Sequence, residues 1–223
     1  WVEQGVAPER LIATKYVDDA ATTREVLLSR PLCVYPLVPR YDLAKAKALM
    51  KEAGYEDGFS ATMMAPNNRY IEDARVAEAV AAMLAKINIK VDLQTMPKAQ
   101  YWQRFDERAG DIMMIGWQSD TQDSANFYEF LVMTPDKTSG YGQYNAGNYS
   151  NPEVDRLTLE TQTMTDPKAR AAVLQQIERI LYDDAALIPL HWQHLSWAAR
   201  KNVKIGAVVN VIDMPYLGDL VIE

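Results

Sequence analysis

From Asp42 onward, apolar positions follow two alternating rhythms, separated by polar punctuation. Residues 44–50 read as a helix capped by Asp42 and stopped by Gly54. Residues 59–64 read as a short strand, followed by a polar loop, Pro66-Asn67-Asn68-Arg69-Tyr70. Val76, Val80, Met83, Leu84 and Ile87 recur at helical spacing and predict a helix buried along one face. Residues 89–93 alternate strictly and predict a half-buried strand. Pro97 suits the first turn of a further helix, and Gly110 its end. Residues 111–115 form an apolar strand that runs into Gly116-Trp117. Ser150 with Pro152, and Asp166 with Pro167, each announce a helix. The second of these carries Val173, Leu174, Ile177, Ile180 and Leu181 on its inner face, and residues 187–192 and 195–198 read as strands.

Strands alternating with helices indicate an α/β layer architecture. Residues 1–40 have a different texture: Pro8, Pro31, Pro36 and Pro39 interrupt them, with little periodicity after Ala13. A composition boundary therefore falls at Arg40-Tyr41.

The 223 residues suffice for one large domain or two small ones. A net charge of -7 argues against a nucleic-acid partner, which would need a basic surface. Cys33 is the single cysteine, so no intrachain disulfide can form. No apolar run approaches the roughly 20 residues that span a bilayer. Trp1-Val2-Glu3-Gln4 does not open like a secretory signal, and the chain reads as a piece of something longer or a rearranged gene product.

Enzyme and cofactor motifs fail. The sequence has no Gly-x-Ser-x-Gly elbow and no phosphate loop. Gly140-x-Gly142 is followed by Asn145 where a dinucleotide fingerprint needs glycine. On a strand, His191 and His194 would face opposite sides, which suits partly buried, hydrogen-bonded histidines better than chelation. Asp120, Asp123 and Asn126 lack the alternating oxygens and central glycine of a calcium loop. No cofactor and no metal site is expected.

What remains suits binding. Gly116-Trp117-Gln118-Ser119-Asp120 follows a buried strand, at the end where open α/β sheets form ligand crevices. Trp117 offers a flat apolar wall and Asp120 a carboxylate, while Asn126, Tyr144, Asn145 and Tyr149 add neutral polar groups. The competing reading makes Trp117 a core residue and Asp120 the cap of a helix over residues 126–131.

Several segments resemble the family 5 extracellular solute-binding proteins. They include Tyr41-Asp42-Leu43-Ala44-Lys45-Ala46-Lys47-Ala48-Leu49 with Glu52-Ala53-Gly54-Tyr55, and Ala77-Glu78-Ala79-Val80 with Met83-Leu84 and Ile89-Lys90-Val91. Gly116-Trp117 with Asp120, Asp123, Asn126 and Phe127 resembles the family's pocket-edge motif. Tyr149-Ser150-Asn151-Pro152-Glu153-Val154-Asp155, Ile188-Pro189-Leu190-His191 and Trp197-Ala198-Ala199-Arg200 follow in the same order.

The resemblance implies an α/β chain forming a single lobe, the C-terminal one, of a type II, two-lobed periplasmic binding protein. Its mixed sheet would be flanked by helices. It also implies a non-catalytic, periplasmic component of an ABC transporter importing peptides or related small solutes. The partners would be the solute, the membrane permease and a missing N-terminal lobe. In peptide-binding relatives an aspartate three residues after the Gly-Trp pair anchors the peptide ammonium, which puts Asp120 in that role with Trp117 beside it. An arginine before the long helix pairs with the peptide carboxylate in some dipeptide carriers. Arg69 is the nearest candidate, although ungapped alignment places Asn67 there.

Residues 1–40 resemble instead the C-terminal tail of tannases and feruloyl esterases, through Trp1-Val2-Glu3, Ala7-Pro8-Glu9-Arg10 and Arg30-Pro31-Leu32-Cys33. The catalytic triad of those enzymes lies outside such a tail. The expected organisation is an esterase-like remnant over 1–40, able to mediate a homodimer, and a binding lobe over 41–223. The alternative function is a non-catalytic hydrolase remnant fused to a binding lobe.

Overall fold

A computed structural model describes residues 41–118, 123–191, 193, 198–205 and 216–223. At its centre β1 (Ser60–Pro66) lies between β2 (Lys90–Met96) and β3 (Ile112–Met113), all three parallel, in the order β2-β1-β3. Central parallel strands are covered on both faces, which explains why Ser-Ala-Thr-Met-Met-Ala-Pro is buried almost throughout. Its two-residue period sends Met63 and Ala65 to one face, where Ala77 meets them, and Met64 to the other, beside Met96, Tyr101 and Phe105.

The helices belong to two groups. In the first, α1 (Leu43–Glu52) is capped by Asp42, whose carboxylate accepts from the Lys45 amide, and Gly54 takes a positive φ of 81° just after it. Helix α2 (Asp73–Ala85) covers one face of the sheet and α3 (Lys98–Asp106) the other. In the second group, α4 (Ser124–Leu131), α5 (Pro152–Thr161) and α6 (Pro167–Asp183) enclose their own core. Tyr128, Leu131, Val154, Leu157, Leu174 and Ile177 fill it. A short antiparallel pair, β4 (Val203–Lys204) with β5 (Val221–Ile222), forms a separate sheet.

The α/β class and flanking helices agree with expectation; a mixed sheet was expected, and the three described strands of the main sheet are all parallel. The strand predicted over 187–192 does not form at residues 187–191, where Ile188 is 73% exposed and no strand among the described residues pairs with it. Most of the strand predicted over 195–198 lies outside the described residues. Accordingly His191 stands exposed rather than partly buried, and His194 lies outside the described residues. Met83 is 42% exposed, because Asp73, Ala77 and Val80 mark the inner side of α2.

Three helix ends also differ. Arg108, with φ 52°, ends α3 in place of Gly110; its neighbour Ala109 donates back to the Arg104 carbonyl. Asn151 rather than Ser150 caps α5, because its side chain reaches the Glu153 amide with Pro152 already in the first turn. At α4, Asp123 accepts from the Ala125 amide and is the cap, not Asp120.

Candidate functional site

Parallel strands deliver all their C-terminal ends to one side, and here three loops gather there. The loop after β1 is built around Asp73. This buried carboxylate accepts from the amides of Arg69 and Tyr70 at 2.8 and 3.0 Å and from the Ala74 amide at 2.9 Å. Three donors satisfy a charge that burial alone would oppose. The loop is tied on further sides: the Asn67 amide donates to the Met96 carbonyl at 2.9 Å, and Asn68 Oδ1 accepts from the Lys98 amide at 2.7 Å. The first bond of that pair follows β1 and the second opens α3, so the loops after β1 and β2 are joined.

The loop after β3 is held at two points. Met114 donates to the Met64 carbonyl at 3.1 Å and accepts from the Tyr101 hydroxyl at 2.5 Å. Burial pushes the Tyr101 phenol well above its ordinary range. Gly116 then donates its amide to the Tyr70 hydroxyl at 2.8 Å. A Cβ on Gly116 would sit 2.8 Å from the Tyr70 ring, so this close approach requires glycine.

Trp117 comes next. Its indole N–H donates to Asn126 Oδ1 at 2.9 Å, and its ring packs against Phe130 and Tyr144, with centroids 5.4 and 5.3 Å away. Tyr144 extends this aromatic surface toward Trp102, 6.4 Å further. The ring is half-buried, so one part of it serves the core and another faces out. The two sequence readings of Trp117 thus describe two sides of one side chain.

The structure brings Trp117, Asn126 and Tyr144 together, and it places Arg69 and Asn67 on the adjoining loop. The Arg69 guanidinium lies 5.0 Å from the centroid of the Tyr70 ring. Asp120, the sharpest candidate from sequence, lies outside the described residues. Asn145 is a correction. Its buried amide donates to the carbonyls of Met133 and Tyr149 and accepts from the Tyr149 amide, which commits it to closing its own loop. Sequence reasoning missed Tyr70, Asp73 and Phe130. Tyr70 stood within a loop already singled out, but no local spacing tells which distant amide a tyrosine will meet.

Among the described residues no group of acidic, histidine or cysteine side chains is arranged to hold a metal ion. None of their helices is long and apolar enough to cross a membrane.

This arrangement, a parallel sheet whose strand ends carry an aromatic, polar rim, matches a known class. Residues 10–139 match the family model of bacterial extracellular solute-binding proteins, family 5 middle region, and the chain belongs to that family. Heme-binding protein A of Haemophilus influenzae is 32% identical over 158 residues, covering 67% of this chain and 27% of that protein. The dipeptide-binding protein of Escherichia coli is 29% identical over 186 residues, covering 82% of this chain and 34% of its own. The chain thus spans about a third of the length of these relatives.

Among solved structures, the periplasmic binding protein DppA of Helicobacter pylori, in complex with peptide STSA, superposes with a TM-score of 0.71 at 25% identity. That match covers 93% of this chain and 42% of the other. The dipeptide-binding protein of Pseudoalteromonas sp. SM9913, in complex with Met-Leu, gives 0.70 at 26% identity over 83% and 36%. The fold expected from the sequence is therefore the fold found. The family match begins at residue 10, upstream of Arg40-Tyr41, and lends no support to an esterase origin for residues 10–40.

Proposed function

We propose that this chain supplies one wall of the solute cleft of an ABC-importer binding protein, and that the solute is a peptide with a free amino terminus. The supporting observation is the rim itself: three strand-end loops, tied together, carry a half-buried Trp117 and an exposed Arg69 whose neighbour Tyr70 bonds to Gly116, the residue before Trp117. A second lobe would supply the opposite wall, since a small ligand is buried on most of its surface when bound. In this reading the protein acts in the periplasm, delivers its solute to a membrane permease and catalyses nothing.

Three residues after Trp117 in sequence, Asp120 receives the peptide ammonium. A desolvated cation needs a charged acceptor, and such a hydrogen bond contributes about 1.5–3 kcal/mol. Arg69 faces the peptide carboxylate, with Asn67 as the alternative at the same loop.

Asp120→Asn tests this. It should weaken binding of a free-amine peptide by about tenfold or more without lowering the melting temperature. A loss of stability with unchanged affinity would make Asp120 structural. Hydrolysis of methyl ferulate, abolished by mutating a residue of this chain, would contradict the proposal altogether.

A further inference from the structure

The two outward-facing groups of the rim, Arg69 and Trp117, come from loops far apart in sequence. One side chain lies between them. The Tyr70 hydroxyl accepts from the Gly116 amide at 2.8 Å and sits 3.5 Å from the Gly116 carbonyl, while its ring carries the Arg69 guanidinium at 5.0 Å. A Cβ on Gly116 would stand only 2.8 Å from that ring, and Trp117 is the next residue. On its own side, Tyr70 is fixed by its amide bond to the buried Asp73 carboxylate. Trp117 is fixed beyond Gly116 by its bond to Asn126.

Resting on the solute-binding reading, we infer that Tyr70 is a positioning residue: it locks the loops after β1 and β3 together so that Arg69 and Trp117 form one preformed wall. A loop held only at its ends samples many backbone states, and each costs ordering free energy on binding. The Tyr70–Gly116 bond removes that cost in advance. The residue touches neither end of the solute in this account; it acts through its two neighbours.

The test uses the whole chain. Tyr70→Phe keeps the ring beneath Arg69 and against Gly116 but removes the acceptor. Amide hydrogen exchange followed by NMR should show Gly116 exchanging about fivefold faster, the loss of one ordinary hydrogen bond. The Trp117 indole N–H resonance should move as well, while the Met63 and Ala77 amides keep their protection. Gly116→Ala pushes the same ring from the other side and should move the same indole resonance. An unchanged Gly116 rate or an unmoved Trp117 resonance in Tyr70→Phe overturns the inference. Equal loss of protection at Met63 and Ala77 also overturns it, because Tyr70 would then be a general stabiliser. Trialanine added to the wild-type chain separates the two readings: a peptide that leaves Trp117 unmoved counts against solute binding alone, since the Gly116 rate needs no ligand.

Discussion

Asp123 caps α4 with one carboxylate oxygen while Arg170 of α6 holds the other at 2.5 Å. The two side chains are only 21% and 13% exposed, and Arg170 also donates through Nε to the Thr161 carbonyl at 2.8 Å. One ion pair therefore joins the start of α4, next to the Trp117–Asn126 contact, to the end of α5 and the first turn of α6.

Removing the cation should be costly, because it takes a guanidinium away from a mostly buried carboxylate. Arg170→Met is expected to destabilise the chain by about 2–3 kcal/mol in urea melts. Arg170→Lys should lose less, since it keeps the charge but not the second donor to Thr161. Equal stability of wild type and Arg170→Met would reduce this pair to a surface contact.

Alkaline pH should unfold the chain. Among the described tyrosines, Tyr101, Tyr128 and Tyr149 have phenols raised above the ordinary range, in each case chiefly by burial. Glu178 beside Tyr128 and Asp184 beside Tyr149 add to the effect by disfavouring a second negative charge. A folded-state pKa above the unfolded value favours folding below about pH 10, and that contribution is lost as the pH rises further. Absorbance at 295 nm should show these three ionising only together with the loss of circular dichroism. Reversible ionisation of all twelve tyrosines in a native chain would contradict the burial assigned here.

The patterns made α1, α2, β2 and α6 legible because α1 and α6 carry aspartate caps, α2 a helical apolar spacing and β2 an alternation. The rim was legible in part: Gly116-Trp117 could be placed at a strand end from sequence alone. The parts that failed are those set by distant partners. Asn145 read as a ligand group because nothing near it in sequence reveals the Met133 carbonyl that consumes its amide. Residues 187–191 carry a strand-like pattern, but a pattern becomes a strand only where a neighbour accepts its backbone bonds. Asp120 was read as the cap of α4, but the amide that needs an acceptor there, that of Ala125, meets Asp123 instead.

Residues 1–40 should be dispensable for folding. The ground for this is their proline-broken, aperiodic pattern, which sets the boundary at Arg40-Tyr41; the family match that begins at residue 10 is the ground against it. A chain beginning at Tyr41 is expected to melt cooperatively within a few degrees of the full chain, and sedimentation of the two forms will show whether the deleted segment mediates a dimer. Loss of cooperative melting would place part of the folding unit upstream of the boundary read from composition.

Titrating the chain with trialanine and with N-acetyl-trialanine, followed by two-dimensional NMR, tests the central claim most directly. Because the chain supplies one wall, affinity should be weak, about millimolar. Shifts should be confined to Arg69, Gly116, the Trp117 indole and Asn126, and the acetylated peptide, lacking the cation, should produce markedly smaller ones. The account is contradicted if these resonances stay in place at about ten millimolar peptide, or if the two peptides shift them equally.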